Sequence, residues 1–135
     1  MSLDNVWIQT LSDGLIRADQ VVGIDAHPTP AIRGKPSRWL LDIVLATTTG
    51  SGVPDAWAIS ALHRTLIQTP HPATQAPALL ARLLAQLSAT PSAGIITTSI
   101  DADGNAGKSD PFSPTVRFQF VAFAPPETAD HGEYL

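Results

Sequence analysis

Short apolar segments separated by turn-forming residues constrain the fold of this chain more than any other feature. Asp13 and Gly14 lie between two such segments, and an Asp-Gly pair supplies the positive φ angles of a tight hairpin turn. We therefore expect paired strands over residues 6–11 and 15–24. The second run loses its alternation near Asp19, which predicts a bulge or bend there.

The segment RWLLDIVLA places apolar residues on both faces of a predicted strand and interrupts them once, at Asp42. Two apolar faces are typical of a central strand. Residues 57–69 fit either a helix that begins at Asp55 or a strand that pairs with the Asp42 strand. We favour the strand, because Trp, Ile and Thr pack well on a pleated surface.

One segment has the 3.6-residue apolar period of a helix, predicted near residues 75–88. Its ends are indicated by Thr74 as N-cap, by Pro77 in the first turn and by Pro91 beyond the last turn. The apolar stripe consists of Leu79, Leu80, Leu83, Leu84 and Leu87. Two more strands follow, in GIITTSI and in TVRFQFVAF.

The order of these elements predicts an α+β fold, in which an antiparallel sheet or partial barrel of about six strands is covered by one helix. Hairpins in sequence argue against a doubly wound parallel sheet. A length of 135 residues is that of one domain. We expect a single globular domain over residues 1–124 and a polar, disordered tail over residues 125–135.

The charge balance and the apolar pattern limit the partners of the chain. Twelve acidic and eight basic side chains give a net charge of -4, so no overall field attracts nucleic acid or an anionic membrane. No segment approaches the roughly 18 apolar residues of a membrane span, and the first residues lack the pattern of a signal peptide. The sequence predicts a soluble cytoplasmic protein that binds neither nucleic acid nor membrane.

Several kinds of chemistry are excluded by missing residues. The chain has no cysteine, so it lacks disulfides, thiolate metal sites and cysteine nucleophiles. It also lacks a glycine-rich phosphate loop and a Gly-x-Ser-x-Gly elbow. We therefore expect no cofactor.

The stretch over residues 101–110 begins with the ligand spacing of an EF-hand loop, with Asp101, Asp103 and Asn105 as the first three ligands. Ala106 and Phe112 stand where that loop needs a glycine and a bidentate acid. We therefore favour a solvated turn between the last two strands, without bound calcium, over a weak calcium site.

A second candidate site is the basic segment RGKPSR, which contains Arg33, Lys35 and Arg38. Three cations in six residues are able to hold a phosphate or a carboxylate. A solvated loop is the favoured alternative, since exposed charges need no ligand.

The chain has four histidines, and His63 is the one predicted to lie inside a strand. His27 and His71 fall in proline-flanked segments predicted to be loops, and His131 lies in the tail. Adjacent strands bring facing side chains within about 5 Å, so His63 is able to pair with Asp42 and act as a general acid or base. The alternative is a half-buried, hydrogen-bonded histidine without a catalytic role.

The leading hypothesis is a non-catalytic module that self-associates, most simply as a homodimer, and binds a protein or small ligand. Catalytic motifs are lacking, and the apolar strands and helix offer more apolar area than one pair of layers needs. The competing hypothesis is a small enzyme that uses His63 with the carboxylate of Asp42.

Overall fold

The computed structural model describes residues 2–12, 14–30, 32–50, 59–100 and 115–124. Within them the chain forms seven strands and one α-helix, which confirms the α+β class. The elements are β1 (Val6–Gln9), β2 (Leu15–Arg17), a 3-10 turn (Ala18–Gln20), β3 (Val21–Pro28), β4 (Trp39–Gly50), β5 (Ile59–Thr69), α1 (Ala76–Ser88), β6 (Gly94–Ile100) and β7 (Val116–Ala122). No helix in these ranges is long and apolar enough to cross a lipid bilayer.

The strands are divided between two sheets rather than joined in one. The four-stranded sheet has the order β2-β1-β6-β7, and the three-stranded sheet has the order β3-β4-β5. Neighbouring strands are antiparallel except for β1 and β6, which run parallel. The β4 strand is central in its sheet, as its two apolar faces predict.

The N-terminal hairpin explains how the chain enters both sheets. Gly14 has a φ of 110°, the left-handed conformation that the turn requires. The predicted second strand is interrupted by the 3-10 turn at Ala18–Gln20, where alternation is lost. As a result β2 stays with β1, while β3 pairs with β4. The segment over residues 57–69 is a strand from Ile59 onward, as favoured.

One hydrophobic core joins the two sheets and the helix. The central strand contributes Leu41, Ile43 and Leu45, which alternate along one face of β4 and are buried. The largest fully buried side chains are Ile8, Ile43, Leu80, Ile96 and Val6. Because residues of a strand alternate between faces, the residues between these β4 positions point away from the core.

The helix begins and packs differently from its predicted pattern in two details. Its N-cap is Gln75, without a side-chain cap hydrogen bond, so the prediction of Thr74 was wrong. Leu80 and Leu87 are buried, whereas Leu79 is 41% exposed and lies outside the buried stripe. Pro77 does lie in the first turn, where its missing N–H costs no hydrogen bond.

Candidate functional site

Three oxygen-bearing side chains form a row across the three-stranded sheet. Asp25 of β3 lies directly opposite Asp42 of β4, and Asp42 lies directly opposite Thr65 of β5. Residues paired in this way project from the same face of a sheet. Leu41 and Ile43 flank Asp42 in the chain and are buried in the core, so the row lies on the opposite, outer face.

Asp42 is nevertheless one of the few buried polar residues described, with 3% of its surface exposed. Each of its carboxylate oxygens accepts a hydrogen bond. The hydroxyl of Thr65 donates to Oδ1 over 2.7 Å, and Nε2 of His27 donates to Oδ2 over 2.7 Å. A carboxylate buried on the outer face is therefore stabilised by partners from both neighbouring strands.

His27 reaches Asp42 diagonally, because its directly opposed residue in β4 is Leu40. Its second ring nitrogen, Nδ1, lies 3.3 Å from the carbonyl oxygen of Pro28. The hydrogen bond to Asp42 raises the pKa of His27 above its ordinary value, partial burial opposes this, and the Pro28 carbonyl and the charges of Asp42 and Asp25 support it. Both ring nitrogens thus face acceptors, as a doubly protonated imidazolium requires.

His63 borders the same group from β5. Its directly opposed residue is Val44, and this pair lies two residue pairs beyond that of Asp42 and Thr65. Nδ1 of His63 lies 3.7 Å from Oδ2 of Asp42 and 4.0 Å from Oδ2 of Asp25, and close to half of the His63 side chain is exposed. We call Asp25, His27, Asp42, His63 and Thr65 the Asp42 cluster.

The predicted approach of His63 to Asp42 is present, but without a hydrogen bond. The bulge in the pairing of β4 with β5 falls between Leu41 and Asp42, and it leaves Thr65 opposite Asp42. Thr65 therefore occupies the position directly opposite Asp42 that His63 would need for a direct hydrogen bond. His63 lies diagonally from Asp42 instead.

His27 is the residue of the candidate site that sequence reasoning missed, because the predicted strand ended at residue 24 and the proline-flanked segment around His27 was predicted to be a loop. Pro28 is in fact the last residue of β3, which is an edge strand and tolerates a missing N–H. The available signal was the spacing of Asp25 and His27, two residues apart and so on one face of a continuing strand.

The basic segment lies between β3 and β4. Arg33, Lys35 and Arg38 are exposed there, and the backbone of Arg38 pairs with Thr29. Binding of a phosphate or carboxylate to these cations stays a prediction. Asp101, Asp103 and Asn105 lie outside the described residues, and so does His131.

A separate apolar cleft of about 510 Å³ opens between β3 and α1. Its walls include Val22 and Ile24 from the strand and Pro77 and Leu84 from the helix. No side chain of the Asp42 cluster lines it, so the polar site and the apolar cleft are different surfaces of the described chain.

The Asp42 cluster combines two carboxylates, two half-exposed imidazoles and one hydroxyl on an open sheet face. This set is able to bind a cation, to hydrogen-bond a polar ligand, or to transfer a proton. Comparison of the chain with protein-family models, with curated proteins and with solved structures finds no match.

Proposed function

We propose that this chain is a non-catalytic binding module and that the Asp42 cluster is its ligand site. The observation that carries the proposal is the buried carboxylate of Asp42 on an outer sheet face, beside the half-exposed rings of His27 and His63. A buried charge is costly for folding alone. Charged and imidazole groups that converge on an accessible surface are typical of binding sites.

The hydrogen bonds of the cluster favour binding over catalysis. Both ring nitrogens of His27 face acceptors, and the hydroxyl proton of Thr65 is donated to Asp42. These groups are held in place rather than free to exchange protons with a substrate. A cytoplasmic location of the module stays a prediction from its sequence.

Ligand binding is tested by NMR of the ¹⁵N-labelled chain against a screen of metal ions, small anions and polar metabolites. We expect at least one class to shift the His27 and His63 ring signals and the Thr65 amide. The response should be lost in Asp42→Asn and kept in Asp4→Asn, the same change at an exposed acid elsewhere. A screen in which no class moves these signals would refute the proposal.

A second candidate function, proton transfer by a small enzyme, is favoured by one observation. Nδ1 of His63 faces the carboxylate of Asp42 at 3.7 Å, an arrangement in which a carboxylate orients a histidine as general base. Turnover of chromogenic carboxylic or phosphoric esters that is lost in His63→Gln and kept in His71→Gln would support it. Equal rates in both variants would exclude it for these substrates.

Self-association is the second part of the proposed function, and we assign it to the outer face of the four-stranded sheet. Trp7, Ile95 and Val121 are in register across β1, β6 and β7. Their face is opposite to that of Ile96, which is fully buried. Val121 is 51% exposed and Phe123, just beyond β7, is 49% exposed. A row of this kind offers an apolar surface to a second copy.

The oligomeric state tests this assignment. Analytical ultracentrifugation at micromolar concentration should give a species of twice the 14.2 kDa of one chain. Val121→Glu should restore the single chain, whereas Val22→Glu, at another exposed apolar position, should leave the dimer intact. A single-chain mass for the unmodified protein would refute self-association.

A further inference from the structure

We infer that the Asp42 cluster binds a divalent transition-metal ion of the zinc type through His27, His63, Asp42 and Asp25. This inference rests on the proposed ligand site and names the chemical class of its ligand. The donor set is two imidazole nitrogens and two carboxylate oxygens. Zn²⁺ and related ions prefer mixed nitrogen and oxygen ligands, whereas Ca²⁺ and Mg²⁺ prefer oxygen alone.

The spacing of the donor atoms fits one ion. Asp25, His27 and Asp42 each present one ligand atom, and these atoms lie within 4.8 Å of one another. Nδ1 of His63 lies 3.7 Å and 4.0 Å from the carboxylate oxygens of Asp42 and Asp25. Ligand bonds of about 2.0–2.2 Å in a tetrahedron put the donors roughly 3.4 Å apart. The separations of 2.7 Å, 3.7 Å and 4.0 Å between these donors lie on both sides of this value, so side-chain rotations are needed to place all four donors around one ion.

The central position belongs to Oδ2 of Asp42. It lies 2.7 Å from Nε2 of His27 and 3.7 Å from Nδ1 of His63. At present a proton bridges His27 and Asp42. On binding, a metal ion takes the place of that proton, and the proton is released from Nε2 to solvent.

The surroundings of the donors supply the outer hydrogen bonds that metal ligands need. The hydroxyl of Thr65 holds Oδ1 of Asp42 and leaves Oδ2 for the ion. The carbonyl of Pro28 lies 3.3 Å from Nδ1 of His27 and fixes the tautomer in which Nε2 is the ligand. Metal-binding histidines and carboxylates are oriented by contacts of this kind.

An independent observation also indicates a cation. Oδ1 of Asp25 is buried and has no hydrogen-bond partner in the described part of the chain. Asp25 also lies directly opposite the carboxylate of Asp42, and like charges in that relation destabilise a sheet. A bound cation offsets the repulsion between these two carboxylates.

The test is titration of the tag-free, 135-residue chain with Zn²⁺ by calorimetry and with Co²⁺ by visible absorption. We expect one ion per chain and the intense visible bands of tetrahedral Co²⁺. Loss of a residue that only hydrogen-bonds a metal ligand weakens metal binding by about 10- to 100-fold. Asp42→Asn and His63→Gln change the ligands themselves, so each should weaken binding by more than about 100-fold. His71→Gln and Asp101→Ala should bind as the unmodified chain does.

Two outcomes would overturn the inference: no saturable binding, or binding that survives Asp42→Asn and His63→Gln alike. His63 is half exposed and makes no hydrogen bond to Asp42, so its variant reports on binding even where Asp42→Asn impairs folding. If Zn²⁺ fails to bind while a polar metabolite still shifts the cluster signals, the metal inference fails and the ligand site stands. If neither occurs, both fail.

Discussion

Nε2 of His27 donates a 2.7 Å hydrogen bond to the buried carboxylate of Asp42, although the two residues are not directly opposed in the pairing of β3 with β4. The diagonal contact leaves Asp25 facing Asp42 and gives the two acids a shared imidazole neighbour. The hydrogen bond to Asp42 is therefore the main cause that raises the pKa of His27.

The titration of His27 should depend on Asp42. Because the hydrogen bond to Asp42 raises the pKa of His27, NMR titration of the chelator-treated chain should place the His27 midpoint above 6.5. In Asp42→Asn the midpoint should fall, since the amide carries no charge. An unchanged midpoint in that variant would show that another group controls His27.

The same pair predicts how stability depends on pH. A histidine with a raised pKa in the folded state stabilises that state fully below its unfolded pKa, and the contribution is lost as pH rises through the folded pKa. The stability difference between the unmodified chain and His27→Gln should thus be largest below about pH 6 and should shrink as the pH rises through the raised pKa of His27. It should not exceed about 1 kcal/mol, because half of the ring is exposed. Urea unfolding with chelator measures it, and a difference that grows with pH would contradict the sign.

Removal of the buried carboxylate should destabilise the sheet more than removal of one partner. Asp42→Ala leaves Thr65 and His27 without their acceptor and should cost about 1–3 kcal/mol. Thr65→Val replaces one hydrogen-bond donor with a side chain of similar shape and should cost about 1 kcal/mol. Urea midpoints of the two variants give the comparison, and an Asp42→Ala variant as stable as the unmodified chain would show that the cluster has no structural role.

The helix register is tested by two neighbouring leucines. Leu80 is fully buried and Leu79 is 41% exposed. Leu80→Ala should therefore cost about 2–5 kcal/mol, and Leu79→Ala less than about 1 kcal/mol. Equal losses in thermal or urea unfolding would contradict the packing of α1.

Gly94 marks a close approach between β6 and β7. A β-carbon at this position would overlap the carbonyl oxygen of Val121 and lie 2.8 Å from Cα of Ala122, both of them backbone atoms. Gly94→Ala should cost about 1–3 kcal/mol. Gly23→Ala is the matched control, since its β-carbon would meet only the side chain of Val44 at 3.4 Å or more. Equal stability of the two variants would contradict this contact.

Local patterns predicted the elements of the fold better than their arrangement. The hairpin at Gly14, the central strand around Asp42 and the leucine-rich helix follow from turn chemistry and periodicity, which depend on near neighbours. The parallel pairing of β1 with β6 joins distant segments, and no local pattern encodes it. The division into two sheets follows from the turn at Ala18–Gln20, of which the sequence indicated only the bend.

The candidate site was predicted in part for the same reason. The approach of His63 to Asp42 follows from two adjacent strands, which the sequence places together. Which residue of β5 lies directly opposite Asp42 depends on the bulge that places Thr65 there. A single extra residue in a strand changes the sequence pattern only weakly. His27 was missed because a proline at the end of an edge strand resembles a loop.

Anomalous diffraction at the zinc edge, from crystals of the 135-residue chain grown with Zn²⁺, tests most directly whether the Asp42 cluster binds a metal ion. We predict one strong peak within about 2.0–2.2 Å of Nε2 of His27, Nδ1 of His63 and a carboxylate oxygen of Asp42. Crystals of Asp42→Asn should lack it. A peak elsewhere on the chain, or none at the Asp42 cluster, would contradict the metal site.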